Sequence, residues 1–238
     1  MKNIFKIFMD FDGTITELDV GDAIYKKFGN EKKVNNIISD LLQDKISSRD
    51  CWIKLCEEVP YMDKNELNDF IDSISIDTSF VKFKEYCESE KFEIYVLSDG
   101  FDYYIDRILA KSEITALKVY SNHLEIVDNK MVPSFPYYDE SSISSANCKR
   151  NHIINHSSDD EFTVFIGDGN SDKDTVEYCD YIFAKADLLR YCEMERITFF
   201  PFKTFEDIIK KLDELKVKKR LKKRAQAVLK RREAYIVE

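Results

Sequence analysis

A short apolar run that ends in two closely spaced aspartates constrains this chain most. Residues 4–9 read IFKIFM, which is typical of a buried strand, and residues 10–14, DFDGT, follow without a gap. Alternation along an extended chain sends Asp10 and Asp12 to the same side, and Gly13 lets the backbone turn sharply. Open α/β sheets bind ligands at the carboxyl ends of their strands. The motif therefore predicts two carboxylates presented together at such an edge, rather than a plain polar turn.

Length and composition allow one large domain or two modest ones. The chain has 238 residues, of which 44% are hydrophobic, and this is enough for a sizeable core. The net charge of −9 makes nucleic acid an unlikely default partner. The six cysteines form no CxxC pair and no signal peptide is evident, so we expect reduced thiols and a cytoplasmic location. No apolar run approaches the ~20 residues that are needed to span a bilayer.

The segment after the first motif changes from strand to helix. Four stretches have roughly helical apolar spacing, and they lie at 20–28, 34–45, 51–59 and 66–74. Ser47 with Asp50, and Asp63 with Glu66, have the spacing of capping boxes at helix starts. No strand-like run interrupts residues 17–75. We therefore predict a small helical insertion that covers whatever binds at Asp10.

An alternating pattern of strands and helices resumes near residue 80. The predicted strands lie at 92–97, 116–120, 123–127, 130–132, 161–166, 181–184 and 197–200. The predicted helices lie at 80–89, 101–110, 148–155 and 174–179, and an amphipathic helix begins at 204. This alternation is typical of an α/β fold with a doubly wound, mostly parallel sheet. Right-handed crossovers would place every strand-end loop on one edge.

Polar groups follow three of the predicted strands. They are Asp10 and Asp12, then Ser98, and then Asp168 and Asp172, while Lys149 begins a predicted helix. Four carboxylates that converge on one edge would repel one another by several kcal/mol at low dielectric. A divalent cation removes that repulsion, and an all-oxygen ligand set suits Mg²⁺ better than Zn²⁺.

The remaining strand-end groups are suited to a phosphate. Ser98 offers a hydroxyl, the turn at Asp99 and Gly100 offers backbone N–H groups near a helix start, and Lys149 offers a positive charge. A carboxylate nucleophile can form an aspartyl phosphate, and a second carboxylate can protonate the leaving oxygen. We therefore predict Asp10 as the nucleophile and Asp12 as the acid/base. His152, three residues after Lys149, is predicted to be a surface histidine.

Four motifs in this order resemble those of the haloacid dehalogenase superfamily of phosphohydrolases. They are DFDGT at 10–14, LSDG at 97–100, Lys149, and GDGNSD at 167–172. The resemblance implies a Rossmann-like sheet, Asp10 as nucleophile, Asp12 as acid/base, and Ser98 and Lys149 as phosphate ligands. It also implies Mg²⁺ held by the Asp10 side chain, the Asp12 carbonyl and Asp168, with Asp172 close by. A helical cap inserted directly after the first motif, of the C1 type, resembles the phosphoserine phosphatase-like branch.

Two further segments resemble one subgroup of that superfamily. The hairpin and loop before Asn147-Cys148-Lys149, and residues 183–208, are similar to 2-hydroxy-3-keto-5-methylthiopentenyl-1-phosphate phosphatases of methionine salvage. The loop at 133–147 departs from them because it has fewer Cys and His residues. In phosphoserine phosphatases an acidic residue nine positions after the nucleophile contacts the substrate amine. Asp19 has that place here, and an N-cap of the helix at 20–28 explains it equally well.

These patterns lead to one organisation and one function. We expect a core at 1–16 and 79–205, a cap at 17–78, and a basic helical extension at 206–238, which carries 12 Lys and Arg against six Asp and Glu. The expected function is Mg²⁺-dependent hydrolysis of a small cytosolic phosphomonoester through an aspartyl phosphate. A phosphomutase is the alternative of the same class. The alternative of another class is an inactive binding protein that recruits an anionic partner through its basic tail. If the tail binds no partner, we expect it to be a solvated helical extension. The substrate and the oligomeric state are not specified by these motifs.

Overall fold

The structure, a computed structural model, describes residues 5–142 and 144–236. The strands within these ranges are β1 (Phe5–Met9), β2 (Glu93–Phe101), β3 (Lys118–Val127), β4 (Lys130–Ser134), β5 (Phe162–Gly167), β6 (Tyr181–Ala184) and β7 (Phe200–Pro201). The helices are α1 (Val20–Phe28), α2 (Glu31–Leu42), α3 (Ser48–Glu57), α4 (Lys64–Asp72), α5 (Thr78–Glu90), α6 (Asp102–Lys111), α7 (Lys149–His156), α8 (Lys173–Val176), α9 (Ala186–Met194), α10 (Phe205–Lys216) and α11 (Ala225–Ile236). Ile4, with which the first predicted strand begins, lies outside the described residues.

The strands form a mostly parallel sheet, and this confirms the predicted α/β class. Their order is β4-β3-β2-β1-β5-β6-β7. The pairs β1–β2, β1–β5, β5–β6 and β6–β7 are parallel, whereas β3 and β4 form an antiparallel hairpin. Helices connect the parallel strands, as expected for crossovers in a doubly wound sheet.

The predicted bounds of β2, β3 and β7 are wrong. Strand β7 begins at Phe200, where the strand predicted at 197–200 ends. Strand β2 continues to Phe101, beyond the predicted end at Leu97, and β3 is a single strand where two were predicted. The side-chain amide of Asn147 donates to the carbonyl oxygens of Ser98 and Tyr120, at 2.8 Å in each case. A side chain from a distant loop thus supports both strands where the local apolar pattern fades.

The chain divides into two compact units. The first unit holds the described residues of Met1–Asp10, Asp77–Val96 and Lys149–Glu238. Its sheet has β1 between β2 and β5, and the backbone N–H of Asp10 donates to the carbonyl oxygen of Ile166 at 2.9 Å. This bond extends the β1–β5 ladder by one residue and fixes the backbone of Asp10 at the strand's end.

Helices α5 and α10 pack together in this first unit through aromatic rings. The ring of Phe205 lies 5.1 Å from the rings of both Phe80 and Phe83, and all three side chains are fully buried. The backbone N–H of Phe205 also donates to the hydroxyl of Ser79 at 2.9 Å. Apolar burial and a satisfied helix start therefore attach the beginning of the predicted extension to the first unit.

The second unit holds Phe11–Ile76 and Leu97–Cys148, and it contains α1–α4, α6 and the β3–β4 hairpin. Ser47 and Asp63 accept hydrogen bonds from the N–H groups of Asp50 and Glu66, which confirms the N-cap bond of each predicted capping box. The Arg107 guanidinium of α6 forms a two-point ion pair with Asp72 of α4, at 2.7 and 2.6 Å. The predicted borders of core, cap and extension differ from these two units and stay predictions.

The basic tail forms two helices rather than one. Helix α10 ends at Lys216, and α11 begins at Ala225. The Arg231 guanidinium of α11 is buried, lies 3.3 Å from a carboxylate oxygen of Asp180 and donates to the hydroxyl of Thr163 at 3.0 Å. Part of the tail's positive charge is therefore used inside the first unit. In the described part of the chain, every helix is too short or too polar to cross a membrane.

Candidate active site

The first unit brings four of the predicted site residues together. Asp10 follows β1, Lys149 begins α7, Asp168 follows β5, and Asp172 ends the 3₁₀ turn Asn170–Asp172. Carboxylate oxygens of Asp10, Asp168 and Asp172 all lie within 4.8 Å of one another. Parallel strands β1 and β5 end at the same edge, so residues more than 150 positions apart meet there.

Lys149 is the buried cation of this cluster. Its Nζ lies 2.9 Å from Asp10 Oδ1 and 2.7 Å from Asp172 Oδ1, and it donates to Ser171 Oγ at 3.1 Å. Burial alone would lower the pKa of the ammonium, but the carboxylates of Asp10 and Asp172 outweigh it and raise the pKa above its usual value. Lys149 is therefore charged at neutral pH.

Asp172 is fixed by the backbone of its own loop. Its Oδ2 accepts the N–H groups of Asp168 and Gly169, at 3.1 Å in both cases. A Cβ on Gly167 would lie 2.4 Å from that same oxygen, so only glycine leaves room for the carboxylate at this position. The close approach of Asp172 to the end of β5 is the physical reason for the first glycine of GDGNSD.

The donor set of this cluster fits a hard divalent cation. Three carboxylates face one ammonium, so the cluster keeps an excess of negative charge when all of these groups are ionised. Asp10 and Asp172 are buried and Asp168 is half-buried, so solvent screens the repulsion only in part. Oxygen ligands with few protein donors suit Mg²⁺, which commonly keeps water and substrate oxygens in its shell.

The second unit holds the other predicted carboxylate, Asp12. Its Oδ1 accepts the backbone N–H of Val20 at 3.1 Å, and its Oδ2 accepts the hydroxyls of Ser98 at 3.0 Å and Tyr104 at 2.9 Å. Burial raises the pKa of Asp12 to about 7, and the nearby carboxylate of Asp19 adds to the shift. The three hydrogen bonds to the carboxylate oppose that rise. A carboxyl with a pKa near neutrality can both give and take a proton.

Ser98 and Gly100 lie beside Asp12 in this unit. Ser98 is fully buried, and its Oγ accepts the backbone N–H of Gly100 at 2.9 Å while it donates to Asp12. The hydroxyl hydrogen of Ser98 is thus directed at Asp12. A phosphate oxygen could accept it only after the hydroxyl turns away from that carboxylate.

Both oxygens of the Asp99 carboxylate, by contrast, accept hydrogen bonds from other groups of the protein. Five donors bond to it: Ser48 Oγ at 2.5 Å, Trp52 Nε1 at 3.2 Å, Ser145 Oγ at 2.7 Å, Ala146 N at 2.6 Å and Asn147 N at 2.8 Å. These donors come from α3 and from the loop that precedes Lys149 in the chain. The side chain of Asp99 thus joins two segments, and any contact with phosphate would be left to its backbone.

Asp19 has the position of a helix cap. Its Oδ1 accepts the N–H of Asp22 at 2.8 Å, at the N-terminus of α1. The N-cap explanation of Asp19 is therefore confirmed, and a contact with a substrate amine stays a prediction. His152 is buried with 5% exposure, so its predicted surface position is wrong.

Two residues near the predicted site were not predicted from the sequence. Tyr104 resembles any aromatic residue on the apolar face of α6, and Asn147 resembles a loop residue. Their position in the sequence gives a clue, because Asn147 lies two residues before Lys149 and Tyr104 lies four residues after Gly100. Only the structure shows their polar atoms directed at β2 and Asp12.

Comparisons with known proteins agree with this arrangement. Residues 5–196 match the model of a family described as "Putative Phosphatase". The chain is 32% identical over 224 residues to Pdp3-interacting factor 1 of Schizosaccharomyces pombe, covering 90% of this chain and 97% of that protein. It is 29% identical over 218 residues to the 2-hydroxy-3-keto-5-methylthiopentenyl-1-phosphate phosphatase of Brevibacillus brevis, covering 90% and 98%.

A solved structure shares the fold. A phosphoserine phosphatase, described as a phospho-aspartyl intermediate analogue, superposes with a TM-score of 0.69 at 19% identity and covers 89% of this chain and 99% of its own. The family match spans most of the chain, and relatives of nearly full length are named as phosphatases. The chain therefore belongs to this phosphatase family of the haloacid dehalogenase superfamily, resembles its methionine-salvage subgroup, and is a phosphomonoester hydrolase.

Proposed function

We propose that the chain hydrolyses a small phosphomonoester in two steps through an aspartyl phosphate on Asp10, with Mg²⁺ as cofactor. The observation that supports this most is the grouping of Asp10, Lys149, Asp168 and Asp172 in the first unit. A nucleophilic carboxylate needs nearby positive charge before it can approach a phosphate dianion, and this cluster offers an ammonium and a set of cation ligands.

In the first step, an Asp10 oxygen bonds to phosphorus and the bond to the leaving oxygen breaks. The electron pair of that bond stays on the leaving oxygen, which takes a proton from Asp12. Lys149 holds Asp10 in place through its ion pair and limits the repulsion between the attacking carboxylate and the ester. Ser98 and the backbone N–H groups at Asp99 and Gly100 are proposed to bind the phosphate oxygens.

In the second step, water attacks the phosphorus of the aspartyl phosphate. Asp12, now ionised, takes a proton from that water, and Asp10 leaves as a carboxylate. The same carboxyl therefore gives a proton in one step and takes one in the next. Its pKa of about 7 suits both tasks, because neither form is strongly disfavoured near neutral pH.

Asp10, Asp168 and Asp172 are the side chains that we propose to hold Mg²⁺ or face its bound water, with the carbonyl of Asp12 as a further ligand. Bound Mg²⁺ would offset the charge shared by the nucleophile and the phosphate. Magnesium titration by calorimetry tests this assignment. Asp168→Asn should weaken binding strongly, whereas Asp174→Asn, an exposed acidic position two residues after Asp172, should leave it unchanged.

The proposed substrate is a small phosphorylated metabolite. The similarity to a 2-hydroxy-3-keto-5-methylthiopentenyl-1-phosphate phosphatase supports a compound of that kind, and the phosphoserine phosphatase fold supports phosphoserine as a second candidate. The helical segment at 17–78 is proposed as the cap that selects the leaving group, with Asp19 as one candidate contact. A screen of phosphorylated metabolites that includes both compounds would rank them by kcat/KM.

Hydrolysis of p-nitrophenyl phosphate tests the proposed activity directly. The wild-type protein should release phosphate in the presence of Mg²⁺ and lose this activity with EDTA. Asp10→Asn should abolish turnover while it keeps the size and shape of the side chain. Undiminished activity in Asp10→Asn would refute the assignment. Measurement of free phosphate separates hydrolysis from transfer to a second site on the substrate, as in a mutase.

A further inference from the structure

Tyr104 is a buried tyrosine whose hydroxyl faces Asp12. It lies on α6 with 1% exposure, and its hydroxyl donates to Asp12 Oδ2 at 2.9 Å. Its ring packs beside that of Phe11, with a centroid distance of 6.4 Å. Both partners of this contact belong to the second unit. The packed ring of Tyr104 thus places its hydroxyl group against Asp12 Oδ2.

The Tyr104 hydroxyl occupies space that is free because residue 100 is a glycine. A Cβ at this position would lie 1.6 Å from the hydroxyl oxygen of Tyr104 and 2.8 Å from Asp12 Oδ2. Any other residue would displace the hydroxyl, the carboxylate or both. The glycine is thus needed for close approach rather than for a left-handed backbone, since Gly13 is the glycine with positive φ among the described residues.

Asp12 Oδ2 accepts hydrogen bonds from two hydroxyl groups, those of Ser98 and Tyr104, and the proposed function leaves it only the second. Ser98 has one hydroxyl hydrogen, and it is directed at Asp12 Oδ2 because the Gly100 N–H occupies an acceptor position of the Ser98 oxygen. If Ser98 turns this hydrogen to a phosphate oxygen, as the proposed function requires, Asp12 loses one of its two hydroxyl donors. Tyr104 then remains as the hydroxyl donor to Oδ2 among the described residues.

We propose that Tyr104 is a positioning residue that holds the acid/base Asp12 in its working orientation, in the space that Gly100 leaves. This inference rests on the proposed function. With Tyr104 on Oδ2 and the Val20 N–H on Oδ1, the carboxyl group cannot rotate freely. The Asp12 carboxyl is then held in one orientation while it protonates the leaving oxygen as the bond to phosphorus breaks.

A leaving-group comparison tests this role. Phenyl phosphate and p-nitrophenyl phosphate have nearly the same shape, but phenolate needs protonation more than p-nitrophenolate does. Tyr104→Phe should lower kcat/KM for phenyl phosphate about tenfold and for p-nitrophenyl phosphate less than about threefold, since positioned acid groups contribute about 10²–10⁴ in rate. This constant reports the first step, in which the leaving group departs, and not the hydrolysis of the aspartyl phosphate that both substrates share. The ratio of the two kcat/KM values does not depend on the fraction of folded enzyme.

Tyr103→Phe is the matched control. It removes the same atom from the neighbouring residue, whose hydroxyl donates to Asn68 rather than to Asp12. The control should keep the wild-type ratio. An equal loss of kcat/KM for both substrates, or an unchanged kcat/KM for both, would overturn the role of Tyr104 and leave the proposed function standing. A wild-type protein that hydrolyses neither substrate would instead overturn the proposed function, and this inference with it.

Discussion

Lys149 shows how strongly one residue can depend on its surroundings. Its ammonium is buried with 1% exposure and pairs with two buried carboxylates. A buried ion pair adds little when complete, but removal of one partner leaves uncompensated charge. The contribution of Lys149 to the free energy of unfolding is therefore best measured in a variant that lacks its ammonium group.

We predict that Lys149→Met destabilises the metal-free protein by about 3–5 kcal/mol, because it leaves Asp10 and Asp172 without their cation. Urea unfolding measures the change. Lys173→Met, at a half-buried lysine near the ring of Tyr191, should cost less than about 1 kcal/mol. Equal stabilities for the two variants would show that the Lys149 pairs do not form.

His152 gives a prediction about pH. Burial lowers the pKa of this histidine to about 4, and the neighbouring His156 adds to the effect. The unfolded chain binds a proton below about pH 6.5, whereas the folded protein resists it. The contribution of His152 to stability is thus complete above about pH 6.5 and is lost as the pH falls toward 4.

We predict that wild-type protein loses up to about 3 kcal/mol more than His152→Gln between pH 7 and pH 4. Urea unfolding of both proteins across this range isolates the contribution of the histidine from that of other titrating groups. Parallel stability curves for the two proteins would contradict the buried position of His152.

At the scale of elements, Asp99 joins separate segments of the second unit. Its carboxylate accepts bonds from Ser48 and Trp52 of α3 and from residues 145–147. These residues come from both parts of the chain that form this unit. The end of β2 is thereby held to α3 and to the loop that leads into α7.

We predict that Asp99→Asn destabilises the protein by about 1–3 kcal/mol, because an amide NH₂ would face hydrogen-bond donors. Asp69→Asn, at an exposed position of α4, should change stability by less than about 0.5 kcal/mol. Chemical unfolding curves compare the two. A loss of phosphate affinity in Asp99→Asn at unchanged stability would instead assign the side chain to the substrate.

The sequence predicts elements well where the apolar pattern is strong and poorly where distant groups decide. The bounds of α1 and β6 were predicted as observed, since their apolar spacing is clear. The length of β3 was not, because its middle is polar and is held in part by Asn147. The break between α10 and α11 was not predicted. Lys and Arg residues are common both in solvent-exposed helices and in solvated loops, so the basic composition does not show where a helix ends.

The candidate site was predictable as a set of strand-end residues. Parallel topology alone leads one to expect that Asp10 and Asp168 lie close together, and the structure groups them. Tyr104 and the buried state of His152 were not predictable, because a helix pattern gives the face of a side chain but not the atom that its polar group meets.

At the scale of the whole molecule, the C-terminal helix is anchored by a buried ion pair. Arg231 pairs with the fully buried side chain of Asp180 and also donates to the backbone carbonyl of Tyr178. Asp180 in turn accepts the N–H and hydroxyl of Thr163 at the start of β5. The extension is therefore part of the packing around the sheet rather than wholly a solvated tail.

We predict that Arg231→Ala destabilises the protein by about 3–5 kcal/mol, because Asp180 would stay buried without its cation. Arg232→Ala, at the exposed next position, should change stability by less than about 0.5 kcal/mol. Thermal unfolding of both variants measures the difference. Similar melting temperatures would show that α11 does not contribute to the fold.

The central claim is that the phosphoryl group of the substrate is transferred to Asp10 before water releases it as phosphate. The most direct measurement is chemical trapping: Asp12→Asn protein, whose second step should be slow, is mixed with p-nitrophenyl phosphate and Mg²⁺, quenched, and reduced with borohydride. Mass spectrometry of the peptides should find the reduced acyl group, homoserine, at position 10, and find none in the Asp10→Asn protein. A burst of p-nitrophenol release with Asp10 unmodified, or with the reduced group at another residue, would contradict the account.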